Sequence, residues 1–257
     1  MTRHIIIPDC QVKPTEDNSY LTWVGRYIAE SKPDTIVNLG DFADMPSLSS
    51  YDVGKKSFEG RRYTDDIKAA HEAMLYLTWP IHQERSRLQQ NKKKQWYPRM
   101  VLTLGNHEHR INKAIENDRK LEGLISVDDL EYDRYGWEVY PFLQPVVIDG
   151  VCYVHYQVSG VMDRAINTAR LILNKKHMSC VVGHKQGRDV AYDYKADGSR
   201  MTAIIAGSCY LHDEHYLNYQ SNNHWRGIIV LNEVDNGQFD EMFVSLNYLR
   251  KRYASNS

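Results

Sequence analysis

Short apolar runs, each closed by polar residues, recur along the chain. Ile5 to Ile7 lead through Pro8 into Asp9 and Gln11, and Thr35 to Leu39 lead into Asp41 and Asp44. Met100 to Leu104 lead into Asn106 and His107, Val151 to Val154 into His155, and Ser179 to Val182 into His184 and Gln186. Runs of this length are too short for helices and read as buried strands. Between the first two, Leu21, Val24, Tyr27 and Ile28 share one helical face that ends near Ser31 to Pro33. Strand, helix, strand predicts a parallel pair with a crossover helix. After the third run, Ile111, Ala114 and Ile115 predict a helix from about Glu108, with Asn106 as its cap.

Residues 45–99 form a long excursion. Met45 to Tyr63 read as loop, and from Thr64-Asp-Asp66 a helix follows with Ile67, Ala70, Met74, Leu77 and Ile81 inward and a kink at Pro80. Past residue 110 the pattern predicts one or two helices to about Leu130. A hairpin turn follows at Asp149-Gly150, then a helix from Met162 to Asn174. Strands follow at 190–194, 201–206, 227–232 and 238–246, so the C-terminal half reads as antiparallel hairpins. The expectation is an α/β chain of two mixed sheets stacked face to face with helices outside, in one domain over residues 1–257.

Composition changes this little. With 257 residues, 42% hydrophobic and 25% charged, the chain can bury a substantial core. A net charge of −1 excludes a broad cationic coat, so attraction to an anionic partner needs a local patch. Cys10, Cys152, Cys180 and Cys209 each lie in or beside an apolar run and lack Cys-x-x-Cys spacing; they read as buried free thiols. With no signal peptide and no apolar run of transmembrane length, the expected location is cytoplasmic, without membrane partners. A homo-oligomer is left open.

One strand ending in Asp or His means little, but five that carry Asp, Asp, Asn, His and His converge on one crevice in an α/β sheet. The order Asp9-Cys-Gln11, Gly40-Asp-Phe-Ala-Asp44, Gly105-Asn-His-Glu108, His155, Gly183-His-Lys-Gln186 resembles the calcineurin-like metallophosphoesterases. The likeness runs from residue 4 to about 186, and its motif style is nearest the DNA-repair exonuclease and phosphodiesterase branch. It implies a four-layer α/β/β/α sandwich. It also implies two divalent metals bridged by Asp41, the first held by Asp9, Gln11, Asp41 and Gln186. The second would be held by Asp41, Asn106, His155 and His184. Two metals about 3.5–4 Å apart lower the pKa of a bridging water, and that hydroxide would attack phosphorus in line. His107, oriented by Asp44, would serve the leaving oxygen as acid or cation. The family has His where Gln11 and Gln186 stand, so the first site becomes all oxygen. That favours Mn²⁺ or Mg²⁺, with Fe²⁺ or Zn²⁺ an option at the second. The alternative is that both glutamines hold a water and one metal suffices.

The expected function is therefore a metal-dependent phosphoesterase, a phosphodiesterase or nuclease on nucleic acid. That substrate is motivated by Lys55, Lys56, Arg61 and Arg62 interleaved with Tyr51, Phe58 and Tyr63, since cations and rings together track a backbone and stack bases. Cyclic nucleotides or other small phosphoesters are the alternative substrates. A metal-free binding scaffold is the competing class, though it would have no need of His107. Arg110 and Arg188 sit just past motif ends, where each serves either a substrate phosphate or a surface salt bridge. His212, His215 and His224 line a cleft rim or are structural.

Overall fold

The structure, a computed structural model, describes residues 1–160, 162, 164–213 and 224–254. Along the chain come β1 (Thr2–Ile7), α1 (Leu21–Ser31), β2 (Thr35–Asn38), α2 (Tyr63–Gln90), β3 (Arg99–Thr103) and α3 (Arg110–Asn117). There follow β4 (Glu138–Tyr140), β5 (Val146–Ile148), β6 (Val151–Val154), α4 (Ala169–Lys176) and β7 (Cys180–Val182). The chain then runs through β8 (Arg188–Tyr194), β9 (Arg200–Ala206), β10 (Gly227–Asp235), β11 (Gln238–Ser245) and α5 (Leu246–Tyr253).

These strands make two mixed sheets, ordered β11-β10-β1-β2-β3-β4 and β5-β6-β7-β9-β8. The strands that end in candidate ligands run parallel within each sheet: β1 with β2 and β2 with β3 in the first, β6 with β7 in the second. Side chains alternate across each strand. Ile6, Val37, Val101 and Ile229 of the first sheet therefore pack with Tyr153, Val181 and Ile204 of the second. Ile5, Ile7, Ile36 and Leu102 face the other way, against Leu21, Val24 and Ile28 of α1 and Met74 and Leu77 of α2. On the far face of the second sheet, Val154, Val182 and Ile205 pack on Ile172 and Leu173 of α4. The protein is α/β, with helices covering both outer faces.

Several expected boundaries differ. The helix expected from Met162 begins at Ala169 instead, capped by the Thr168 hydroxyl, which accepts from the Leu171 N–H. Residues 164–166 are extended, because Ser159 N–H bonds Arg164 O and Ile166 N–H bonds Gln157 O. The helix after β3 starts at Arg110, not Glu108, and Asn106 does not cap it. Residues 119–135 hold three short 3₁₀ turns rather than regular helices. β10 and β11 form the expected antiparallel hairpin but join the first sheet beside β1, while β9 pairs parallel with β7. α2 runs on through Pro80 without ending. All four cysteines are buried and unbridged.

α1 lies across α2 at a close approach. A Cβ on Gly25 would sit 2.3 Å from Leu77 O and 3.0 Å from Pro80 Cγ. Backbone cannot yield there as a flexible side chain would. Gly25→Ala should lower unfolding stability by about 2 kcal/mol, the usual cost of forced overpacking. Urea denaturation checks this, and a change within measurement error would show that the crossing has slack.

Candidate metal centre

The polar strand ends meet because their turns bond to one another. Asp41, at φ +48°, accepts the N–H groups of Cys10 and Gln11 on its carbonyl, at 3.0 and 2.8 Å. Its carboxylate Oδ1 accepts the His107 N–H at 2.9 Å. Asp9 Oδ1 accepts the His184 N–H at 2.9 Å, and the Gly183 N–H reaches His155 O at 2.8 Å. Two glycines make these approaches feasible. A Cβ on Gly105 would lie 2.0 Å from Asp41 Oδ1, and one on Gly183 2.4 Å from Asp9 Oδ1.

Beneath them lies Glu108, fully buried. Its Oε2 accepts the N–H groups of Asp41 and Gly105 at 3.0 and 2.8 Å, and its Oε1 accepts that of Ala43 at 3.0 Å. One carboxylate thus joins the turn after β2 to the turn after β3. Burial, with Asp41 nearby, raises its pKa.

Asp41, His155 and His184 each offer an atom within 4.8 Å of the others, so this buried cluster of Asp and His could hold a metal ion. Asn106 Oδ1 stands among them, 2.9 Å from His155 Nε2 and 2.8 Å from His184 Nδ1. His155 Nδ1 donates to Leu39 O at 2.8 Å, which turns Nε2 toward the cluster, 3.3 Å from Asp41 Oδ2. A ligating histidine is commonly oriented through its other nitrogen in this way. Burial alone would lower His155, but Asp41 and Asp9 push its pKa up to about 9. Burial and the His155 charge bring His184 down to about 4. Burial lifts Asp9 to about 7, and its Oδ2 has no hydrogen-bond partner. An orphaned buried carboxylate oxygen fits a site that expects a cation.

His107 is held on the open side. Its Nδ1 lies 2.5 Å from Asp44 Oδ1, and its Nε2 lies 3.6 Å from Asp41 Oδ2. Burial opposes its charge, but the two carboxylates raise its pKa. Despite burial, His107, Lys13 and Arg110 hold Asp44 well below the usual carboxylate range. Lys13 Nζ is 3.5 Å from Asp44 Oδ2. Arg110 donates to Asp44 O at 2.6 Å and comes within 3.3 Å of His107 Nε2.

The structure therefore brings together Asp9, Asp41, Asp44, Asn106, His107, Arg110, His155 and His184. Gln11, buried at φ +43°, joins them through its backbone; the Gln186 carbonyl accepts from the Trp225 N–H. Arg188 makes no salt bridge among the described residues. Its guanidinium lies over the Trp225 and Phe243 rings, 5.3 and 4.4 Å from their centroids. In the basic loop, Lys55 and Arg61 both pair with Asp52, at 2.8 and 2.9 Å. Lys56 and Arg62 are exposed. The Tyr63 hydroxyl donates to Asp129 at 2.7 Å. His212 stacks on Tyr210, and His224 bonds the Tyr210 hydroxyl at 3.2 Å. His215 lies outside the described residues. Sequence reasoning missed the role of Glu108, which closes the Gly-Asn-His-Glu motif, and missed Lys13, two residues past Gln11.

No protein-family model matches the chain. It is similar to two curated phage proteins. The Gene 54 protein of Mycobacterium phage L5 is 33% identical over 73 residues, 28% of this chain and 28% of that protein. The Gene 54 protein of Mycobacterium phage D29 is 24% identical over 194 residues, 71% of this chain and 68% of that protein. A solved structure aligns with 96% of this chain and 100% of its own, at 11% identity and a TM-score of 0.40. A likeness at that level carries no argument. No helix among the described residues is long and apolar enough to cross a membrane.

The hydrogen bonds of His155 predict how an ion enters. Both its nitrogens face acceptors, and Asp41 and Asp9 raise its pKa to about 9, which favours the protonated ring at neutral pH in the absence of metal. An ion at the cluster must displace that proton. Calorimetry of Mn²⁺ binding in buffers of different ionisation enthalpy should show about one proton released per ion at neutral pH. At 100 times its Kd the ion should stabilise the fold by about 2.7 kcal/mol, and Asp41→Asn or His184→Ala should abolish most of that gain. Because the folded-state pKa of His155 is raised from 6.5, its charge stabilises the metal-free fold at low pH. That contribution is lost as pH rises through about 9. Binding without proton release, or a metal-free fold indifferent to pH between 6.5 and 9, would contradict this account. Separately, Glu108→Gln should cost about 2 kcal/mol, since an amide replaces one charged acceptor oxygen with a donor.

Proposed function

We propose that this chain is a metal-dependent phosphoesterase, most simply a phosphodiesterase. One observation carries the reading: Asp41, Asn106, His155 and His184 converge from four strand ends, with His107 held beside them by Asp44. The helix-covered pair of sheets supports it, being the layering expected of the four-layer sandwich of calcineurin-like enzymes.

Asp41, Asn106, His155 and His184 would hold one divalent ion, and the unpartnered Asp9 Oδ2 suits a second beside Asp41, completed by Gln11 and Gln186. Bound there, such ions supply charge neutralisation at phosphorus and an acidified water. The chain's own residues do the rest. His107, whose pKa Asp41 and Asp44 raise, would face a leaving oxygen as acid or cation. Asp44 fixes the ring through Nδ1, and Lys13 and Arg110 offset the Asp44 charge, so that the site remains attractive to an anion. The two glutamines make the Asp9 side all oxygen. The two ions should therefore be held unequally, with Mn²⁺ or Mg²⁺ preferred at the weaker position.

A second reading concerns the substrate. Lys55 and Arg61 turn in to Asp52, which leaves fewer cations for a long nucleic-acid strand. This favours a small phosphodiester over a polymer tracked by that loop.

Hydrolysis of an aryl phosphodiester across Mn²⁺, Mg²⁺, Fe²⁺ and Zn²⁺ tests the reading. His107→Ala should lower kcat at least about 100-fold while metal uptake persists. No turnover of any phosphoester with any of these ions would overturn the proposal, and loss of metal in His107→Ala would overturn the role given to His107.

A further inference from the structure

The ligand cluster has an aromatic flank that the catalytic reading leaves unused. Phe142, from the segment between β4 and β5, stacks on His109 with centroids 4.7 Å apart and planes 22° apart. Tyr156, next after His155, meets the Phe142 ring edge-on at 5.6 Å. The same Tyr156 ring lies 4.7 Å from His184 and 5.6 Å from His155, and Phe142 lies 6.4 Å from His155. Three chain segments thus deliver a row of rings from the Asn106 turn to the His184 turn. All three residues are half-buried, unlike the sealed Tyr153 and Phe42 of the core.

A phosphoryl group seated against Asn106, His155 and His184 would have its ester substituent within about one ring's width of this row. Aromatic rings reward a flat π-system by stacking, and every nucleobase offers such a face. The polar floor selects the phosphate, and the ring row selects what is attached to it. We propose that Phe142 and Tyr156 form a base-stacking wall, so that the site takes a phosphate bearing an adjacent nucleobase. This rests on the phosphoesterase reading above. It moves nucleotide recognition from the basic loop, whose Lys55 and Arg61 are tied to Asp52, to the edge of the ligand cluster itself.

Adenosine monophosphate and ribose phosphate differ by the base alone, and their binding to Mn²⁺-loaded protein by calorimetry isolates the wall. Adenosine monophosphate should bind roughly 10-fold or more tightly, the yield of one stacked base. Phe142→Leu and Tyr156→Leu, which keep apolar volume but remove a ring, should bring that preference toward one. Tyr156→Phe should preserve it. A short adenine single strand distinguishes the source of the base: tighter binding than the monophosphate assigns the wall to a strand, and equal or weaker binding assigns it to a free nucleotide. Equal affinity of the native protein for the two phosphates, or an undiminished preference in both leucine variants, sinks the wall while sparing the phosphoesterase reading. If neither phosphate binds in the presence of metal, both fail.

Discussion

Glu108 bears on every distance in the centre. Its carboxylate takes three backbone N–H groups, from Asp41, Ala43 and Gly105, in a place without solvent. A buried charge is costly unless hydrogen bonds compensate it, and three donors to one carboxylate do so. The consequence is geometric. With its N–H anchored, Asp41 can hold the left-handed backbone that turns its carboxylate toward His155, and the Gly105 turn is brought against that carboxylate. Asp41 helps to raise the pKa of Glu108, while Asp41 itself, despite burial, is lowered by His107 and His155.

Much of this was legible in the chain. Strand positions follow from apolar runs between Gly, Pro and Asp, because a buried parallel strand has no polar face to disguise it. Asp9, Asp41, Asn106, His155 and His184 were readable because each closes such a run. Helix ends were less so, since a start depends on where backbone donors find partners. Asn106 looks like a cap, but its amide oxygen goes to two imidazoles, and the helix begins later. The segment before α4 has helical spacing, yet its Ile166 N–H goes to Gln157 O and its Arg164 O accepts the Ser159 N–H. α5 had a readable signature in Leu246, Leu249 and Tyr253 behind the Ser245 cap, masked by the strand that runs into it. Glu108 was not legible as a tie, because its partners are backbone atoms from a turn more than sixty residues away.

The basic loop shows why charge counts mislead. Four cations among aromatic residues suggest a surface for polyanions, but Asp52 claims two of them, and Arg61 also reaches Pro46 O. By contrast Lys13, inconspicuous in sequence, stands with Arg110 beside His107 because Asp44 gathers them. A cation's neighbours decide its availability, and neighbours come from the fold.

The centre also depends on a contact between sheets. Asp9, Asp41 and Asn106 follow strands of the first sheet, and His155 and His184 follow strands of the second. Beside the centre, an isolated backbone bridge from Asp9 to Ser208 joins the two sheets. Their spacing is set by packing of Ile6, Val37 and Val101 against Tyr153, Val181 and Ile204. Interiors packed to crystal density tolerate little sliding, so this apolar layer sets how closely the imidazoles approach Asp41. The hydrogen bond from His155 Nδ1 to Leu39 O then crosses the same gap and fixes which nitrogen faces the cluster. An apolar interface sets the separation and one polar bond sets the orientation, which is the division of labour a preorganised ion site requires.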